Sequence, residues 1–225
     1  MSQENSIPRS VIAPADALVV ESLSWKETWW LALTQPSVAT YERIIRDPKA
    51  TTSRGYNWVF VAALIGYVLF WLVQSMVGAI YGAGATEVLG AYEVFGVSLA
   101  GLICVTPVAA LLAVLGLIIG AVVLHVCARI LGGTGTYSKL VYAIAAYDAP
   151  MMLISLALGP IPTLNYANLL MSIYVVALQV IAVKAVHQFS WGKAIASVML
   201  PLVILGAAVG ACLMLTIIPL IFSAR

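Results

Sequence analysis

Long stretches almost empty of charge constrain this chain more than any motif within it. Apolar residues run nearly uninterrupted over about 58–80, 99–131, 139–159, 166–186 and 193–222. At 1.5 Å rise per residue, about 20 such residues make enough helix to cross a hydrocarbon layer roughly 30 Å thick. Soluble core helices are seldom so long and so uncharged. Only 9% of the residues are charged and 63% are hydrophobic, whereas a soluble domain is about one quarter charged. The sequence therefore predicts an all-α, polytopic membrane protein in two parts. Residues 1–57 form a cytoplasmic N-terminal segment with interfacial amphipathic helices, and 58–222 form a domain of about five transmembrane helices.

Placement of Lys and Arg sets the expected topology, because cytoplasmic connections are enriched in both. Arg43, Arg46, Lys49 and Arg54 precede the first apolar stretch, and the connection over about 81–98 has Glu87 and Glu93 but no basic residue. Arg129 and Lys139 flank the next connection, none lies around Pro160 to Asn165, and Lys184 and Lys193 flank the last. The alternation predicts five crossings, the N-terminus cytoplasmic and the C-terminus, at Arg225, on the opposite side. The second stretch is too long for a straight crossing: about 33 residues make roughly 50 Å of helix, so it tilts, kinks at Pro107 or projects beyond the bilayer.

The chain opens without the charged and short apolar regions of a cleavable signal peptide, so the first span is expected to direct insertion. Residues 1 to about 22 show no sustained period. From Leu23 to Arg46, Trp25, Trp29, Trp30, Leu33, Val38, Tyr41, Ile44 and Ile45 fall on one side of two short helices broken near Pro36. Such helices are expected to lie flat on the membrane. Trp25, Trp29, Trp30 and Trp58 flank the first span as interfacial anchors, since an indole joins an apolar body to one donor. The segment TEVLGAYEVFG reads equally as a short interfacial helix or as a Gly-rich loop.

Three glycine pairs have four-residue spacing: Gly78 with Gly82, Gly116 with Gly120, and Gly206 with Gly210. Each pair shares a helix face and lets another backbone approach, within the bundle or across a subunit interface. Asp148 is the acidic residue placed near the middle of a span, where a charge costs roughly 2.5–3.5 kcal/mol, so it should not face lipid. Pro150, two residues on, removes a backbone donor. With His125 and Arg129 on one face of the second span and Gln179 in the fourth, Asp148 is expected to form an intramembrane polar cluster. That cluster reads either as structural hydrogen bonds or as an ion or substrate pathway.

Other chemistry is poorly represented. Gly132, Gly133 and Gly135 lack the spacing and preceding strand of a phosphate loop, and read instead as a close-packed turn between spans. Cys104, Cys127 and Cys212 have no metal-ligand spacing, His125 and His187 are distant in sequence, and no serine or carboxylate pair resembles a catalytic constellation. No catalytic residue, cofactor or metal is expected. A net charge of +2, without a basic patch interleaved with aromatics, excludes a nucleic-acid partner.

Read in order, LTQPSVATYERIIRDPKA, GGTGTYSKLVYAIAAYDAP and KAVHQFSWGKAIASVMLP resemble the Yip-domain family, multi-pass proteins named for interaction with Ypt/Rab GTPases. The resemblance implies five spans and a cytoplasmic N-terminus, and its eukaryotic members are implicated in vesicle traffic and membrane shaping. This chain lacks the DLYGP-like segment those members carry before the first span, which argues against GTPase binding, and it resembles the bacterial and archaeal branch. The expected function is a non-enzymatic membrane scaffold or organiser, with the bilayer and a second copy or other membrane protein as partners. The alternative is a small transporter or channel centred on Asp148.

Overall fold

A computed structural model of the chain describes residues 22–81, 99–204 and 206. Seven α-helices lie in this part: α1 (Trp25–Thr34), α2 (Val38–Ile45), α3 (Thr52–Tyr81), α4 (Leu99–Ile130), α5 (Tyr137–Leu158), α6 (Asn165–His187) and α7 (Trp191–Ile204). A 3-10 turn, Pro162–Leu164, joins α5 to α6. No strand occurs among the described residues. Helices α3 to α6 are long and apolar enough to cross a membrane, and α7 is a shorter apolar helix. The segment over 82–98, with Gly82, and the far part of the last apolar stretch, with Gly210 and Cys212, lie outside the described residues.

The second apolar stretch is one helix: α4 is unbroken through Pro107 over 32 residues. Glycine chemistry ends it. Gly132 adopts φ +89, the Gly133 amide donates to the Ala128 carbonyl at 2.8 Å and the Gly132 amide to Arg129 at 3.0 Å. These are the two bonds of a Schellman cap, which satisfies carbonyls a helix end leaves unpaired.

The bundle is centred on α5. Its Ala-rich first half lets neighbours in closely, and Leu140 through Tyr147 are all buried. On α3, Gly55 is close enough to α5 that an added Cβ would lie 3.2 Å from the Ala145 Cβ. Buried positions make up 61% of the spanning window of α5 but only 17% of that of α4, so α4 is the peripheral span. Polar ties at one end fix the register: Thr52 Oγ1 donates to Ser138 Oγ at 2.9 Å, and the Tyr56 and Tyr137 hydroxyls meet at 3.0 Å. Every described Lys and Arg lies at this same end.

The N-terminal helices are capped and docked there. Ser24 and Glu27 form a capping box, and the bonds from Ser24 hold the Glu27 carboxyl below its usual range. The apolar stripe of α2 is covered by protein. Tyr41 and Ile44 are fully buried, and α2 packs on α5 and α6. Tyr41 stacks edge-on against Tyr147 at 6.4 Å and donates to the Ala32 carbonyl at 3.3 Å, while burial, reinforced by nearby Tyr174, pushes its phenol above the usual range. Beside the expectation that these helices lie flat on the membrane, the charged end of the bundle gives the α2 stripe a protein seat made of α5 and α6. From α6, Tyr174 donates to the Leu33 carbonyl, and Gln188 Nε2 reaches Glu42 Oε1 at 2.9 Å.

Candidate functional site

Asp148 stands where α5 changes character. The preceding turns are sealed between α3 and α6, but Asp148 itself is only partly covered. Pro150 takes away the amide that would pair with the Ala146 carbonyl. The Asp148 side chain lines a cleft of about 280 Å³ between α4, α5 and α6, together with Gly116, Gly120, Leu124, Val175 and Gln179. It has no hydrogen bond or ion pair among the described residues. A carboxyl at mid-span without a protein partner is costly in a bilayer, so this position invites an external donor or cation.

Two of the four polar residues expected together, Asp148 and Gln179, share this cleft. His125 and Arg129 do not line it. One helical step of 100° separates Leu124, which faces Asp148, from His125, which turns instead to α5 and α6. The His125 ring lies 5.2 Å from His187 and 5.9 Å from Tyr137. Neither ring nitrogen of His187 has a protein partner, although the residue is 1% exposed. Arg129 donates to the Gly133 carbonyl at 3.3 Å, helping to close the turn.

Between the two polar places lies a buried layer. Tyr142, Ala143, Ala146 and Tyr147 of α5 and Leu178, Ala182 and Val183 of α6 are all buried. This buried layer separates the cleft, which lies between α4, α5 and α6, from the charged end.

The glycine pairs fall differently from one another. A Cβ at Gly116, Gly120 or Gly206 would meet nothing within 4 Å, so these residues are not used in packing among the described residues. Gly78 is partly buried near the far end of α3. Close packing instead uses Gly55, Gly133 and Gly135. A Cβ on Gly133 would sit 2.9 Å from the Ala128 carbonyl oxygen, and one on Gly135 would collide with the Val186 carbonyl.

Of the tryptophans, Trp25 and Trp30 are exposed on α1. Trp29 is packed edge-on between Trp25 at 5.0 Å and Trp58 at 6.1 Å. Sequence reasoning missed the polar knot beside them. Arg54 Nη1 pairs with Asp47 Oδ2 at 3.1 Å, and Arg54 Nη2 donates to the Leu23 carbonyl at 3.1 Å. The Tyr142 hydroxyl donates to Asp47 Oδ2 at 3.3 Å. The Arg54 guanidinium also lies over the Trp58 ring at 4.8 Å. The signal available was the Asp47-Pro48 step, which favours a turn held by the Asp side chain; here Asp47 Oδ1 accepts from the Lys49 amide at 2.9 Å.

A buried α5 with three other spanning helices packed around it, and a cleft holding Asp148 and Gln179 between α4, α5 and α6, define a polytopic α-helical membrane protein. The Yip1 domain model matches residues 30–213, and the chain belongs to that family. No curated protein and no solved structure matches it.

Proposed function

We propose that the protein is a non-enzymatic membrane scaffold, of the kind that organises membranes or their traffic, and that the cleft at Asp148 receives a helix of a membrane partner. It crosses the bilayer five times, as 58–222, with the segment 1–57 cytoplasmic and the C-terminus on the opposite side. The observation that carries this reading is the place of the cleft, between α4, α5 and α6. Asp148 sits beside Gly116 and Gly120, a ledge with open space at both glycines among the described residues, where a neighbouring backbone can approach and a polar side chain can bond the carboxyl. A buried apolar layer stands between this cleft and the charged end, which argues against a continuous conduction path.

A transporter is the second reading, favoured by Asp148 itself, which has no hydrogen bond or ion pair among the described residues. Flux into liposomes carrying a pH-sensitive dye separates the two. The scaffold predicts no proton or cation flux above empty vesicles for the natural chain or for Asp148→Asn. A flux in the natural chain that Asp148→Asn abolishes would replace the scaffold with the transporter. The scaffold further predicts that Gly116→Leu with Gly120→Leu weakens association measured by energy transfer between labelled copies in vesicles, or with a defined partner, while leaving the helical spectrum intact.

A further inference from the structure

A second cavity, sharing no lining residue with the Asp148 cleft, lies between α1, α3 and α5. It holds about 420 Å³ and is lined by Trp25, Trp29, Trp58, Asn57, Ile65 and Leu153, among others. Along α3 its lining runs from Asn57 to Ile65, about 12 Å of helix at 1.5 Å per residue. The groove thus starts at the charged end and descends into the apolar part of the bundle. Below Asn57 its walls are apolar.

We propose that this groove binds one anionic glycerophospholipid of the surrounding leaflet, an acyl chain lying along α3 and the headgroup beside Lys26. Three observations converge on that occupant. The shaft has no polar group to satisfy a peptide backbone, which excludes an extended peptide but suits a hydrocarbon chain. At the mouth, Lys26 Nζ lies 5.4 Å over the Trp25 ring and has no acidic partner among the described residues, whereas Arg54 is already paired with Asp47. Finally, Trp29 lines the groove and its buried Nε1 has no acceptor among the described residues, so a small turn of the ring toward the groove lets it donate to a lipid ester oxygen at headgroup depth. The charge at this end is predominantly basic, which favours an anionic headgroup over a zwitterionic one.

Native mass spectrometry of the full chain in detergent, incubated with phosphatidylglycerol or phosphatidylcholine, tests the site. One phosphatidylglycerol should remain bound, with a preference over phosphatidylcholine that falls about fivefold in Lys26→Gln, the worth of one basic residue near an anionic surface. Val61→Trp with Ile65→Trp fills the shaft; both residues line the groove and each is 49% exposed, so the fold should tolerate them, as circular dichroism can verify. The filled variant should lose the adduct. Independently, phosphatidylglycerol brominated in mid-chain should quench tryptophan emission saturably, with a smaller amplitude in Trp29→Phe and Trp58→Phe. An adduct distribution that follows random association, an undiminished adduct on the folded filled variant, or quenching of equal amplitude in the Phe variants would overturn the proposal.

Discussion

Asp47 shows how much a single unpredicted contact can hold. Its side chain is wholly buried, and Arg54, whose side chain is 21% exposed, is its cationic partner. Removing the cation strands a carboxylate, so Arg54→Met should cost about 3–5 kcal/mol in a detergent melt or denaturant titration. Asp47→Asn should cost less, about 1–3 kcal/mol, because no carboxylate is left uncompensated and the single amide oxygen keeps either the Lys49 bond made at Oδ1 or the Arg54 and Tyr142 bonds made at Oδ2. Equal losses would mean that charge is not what the site requires. Glycine gives a second contrast. Gly135→Ala forces a methyl onto the Val186 carbonyl and should destabilise by about 1–3 kcal/mol. Gly116→Ala meets open space and should change stability by no more than about 0.5 kcal/mol.

Among the elements, α2 was legible as a helix and its cover was not. Val38, Tyr41, Ile44 and Ile45 repeat at helical spacing, so the apolar face follows from the local sequence. What covers it is Tyr147 and its neighbours on α5 and α6, and no local pattern distinguishes that protein surface from lipid. The same ambiguity governs the spans. Lipid is as apolar as a helix neighbour, so an amphipathic period marks no packing face there. Gly116 and Gly120 had the expected spacing yet face a cleft, whereas Gly55 and Gly135, with no such partner in sequence, make the close approaches. Asp148 and Gln179 were legible as polar residues in apolar runs, and their shared cleft needed the rotation of α4 about its axis. For α2 the consequence is measurable. Tyr41→Ala should cost about 3–5 kcal/mol, the range for emptying a buried aromatic site. It should also raise proteolytic cleavage between α1 and α3. Unchanged protection would show that the docked position contributes little to stability.

At the scale of the whole molecule, all described Lys and Arg residues gather at one end, which should face the cytoplasm. After Cys104, Cys127 and Cys212 are replaced, a cysteine at Thr134 should react with an impermeant maleimide only from the cytoplasmic side, and one at Asn165 or Glu87 only from the outside. External labelling at Thr134 would reverse the orientation. The docking of the first helices onto late ones also imposes an order of events on synthesis. Tyr41 meets Tyr147 only after roughly 100 further residues have been added, on the order of 5–20 s at about 5–20 residues per second. During that interval the stripe of α2 has no protein seat, and the bilayer surface is the nearest apolar shelter. Seating α2 is then a late step that an incomplete chain cannot take, so a truncated product lacking α5 and α6 would carry its N-terminal helices undocked, open to the proteases that clear unfinished proteins.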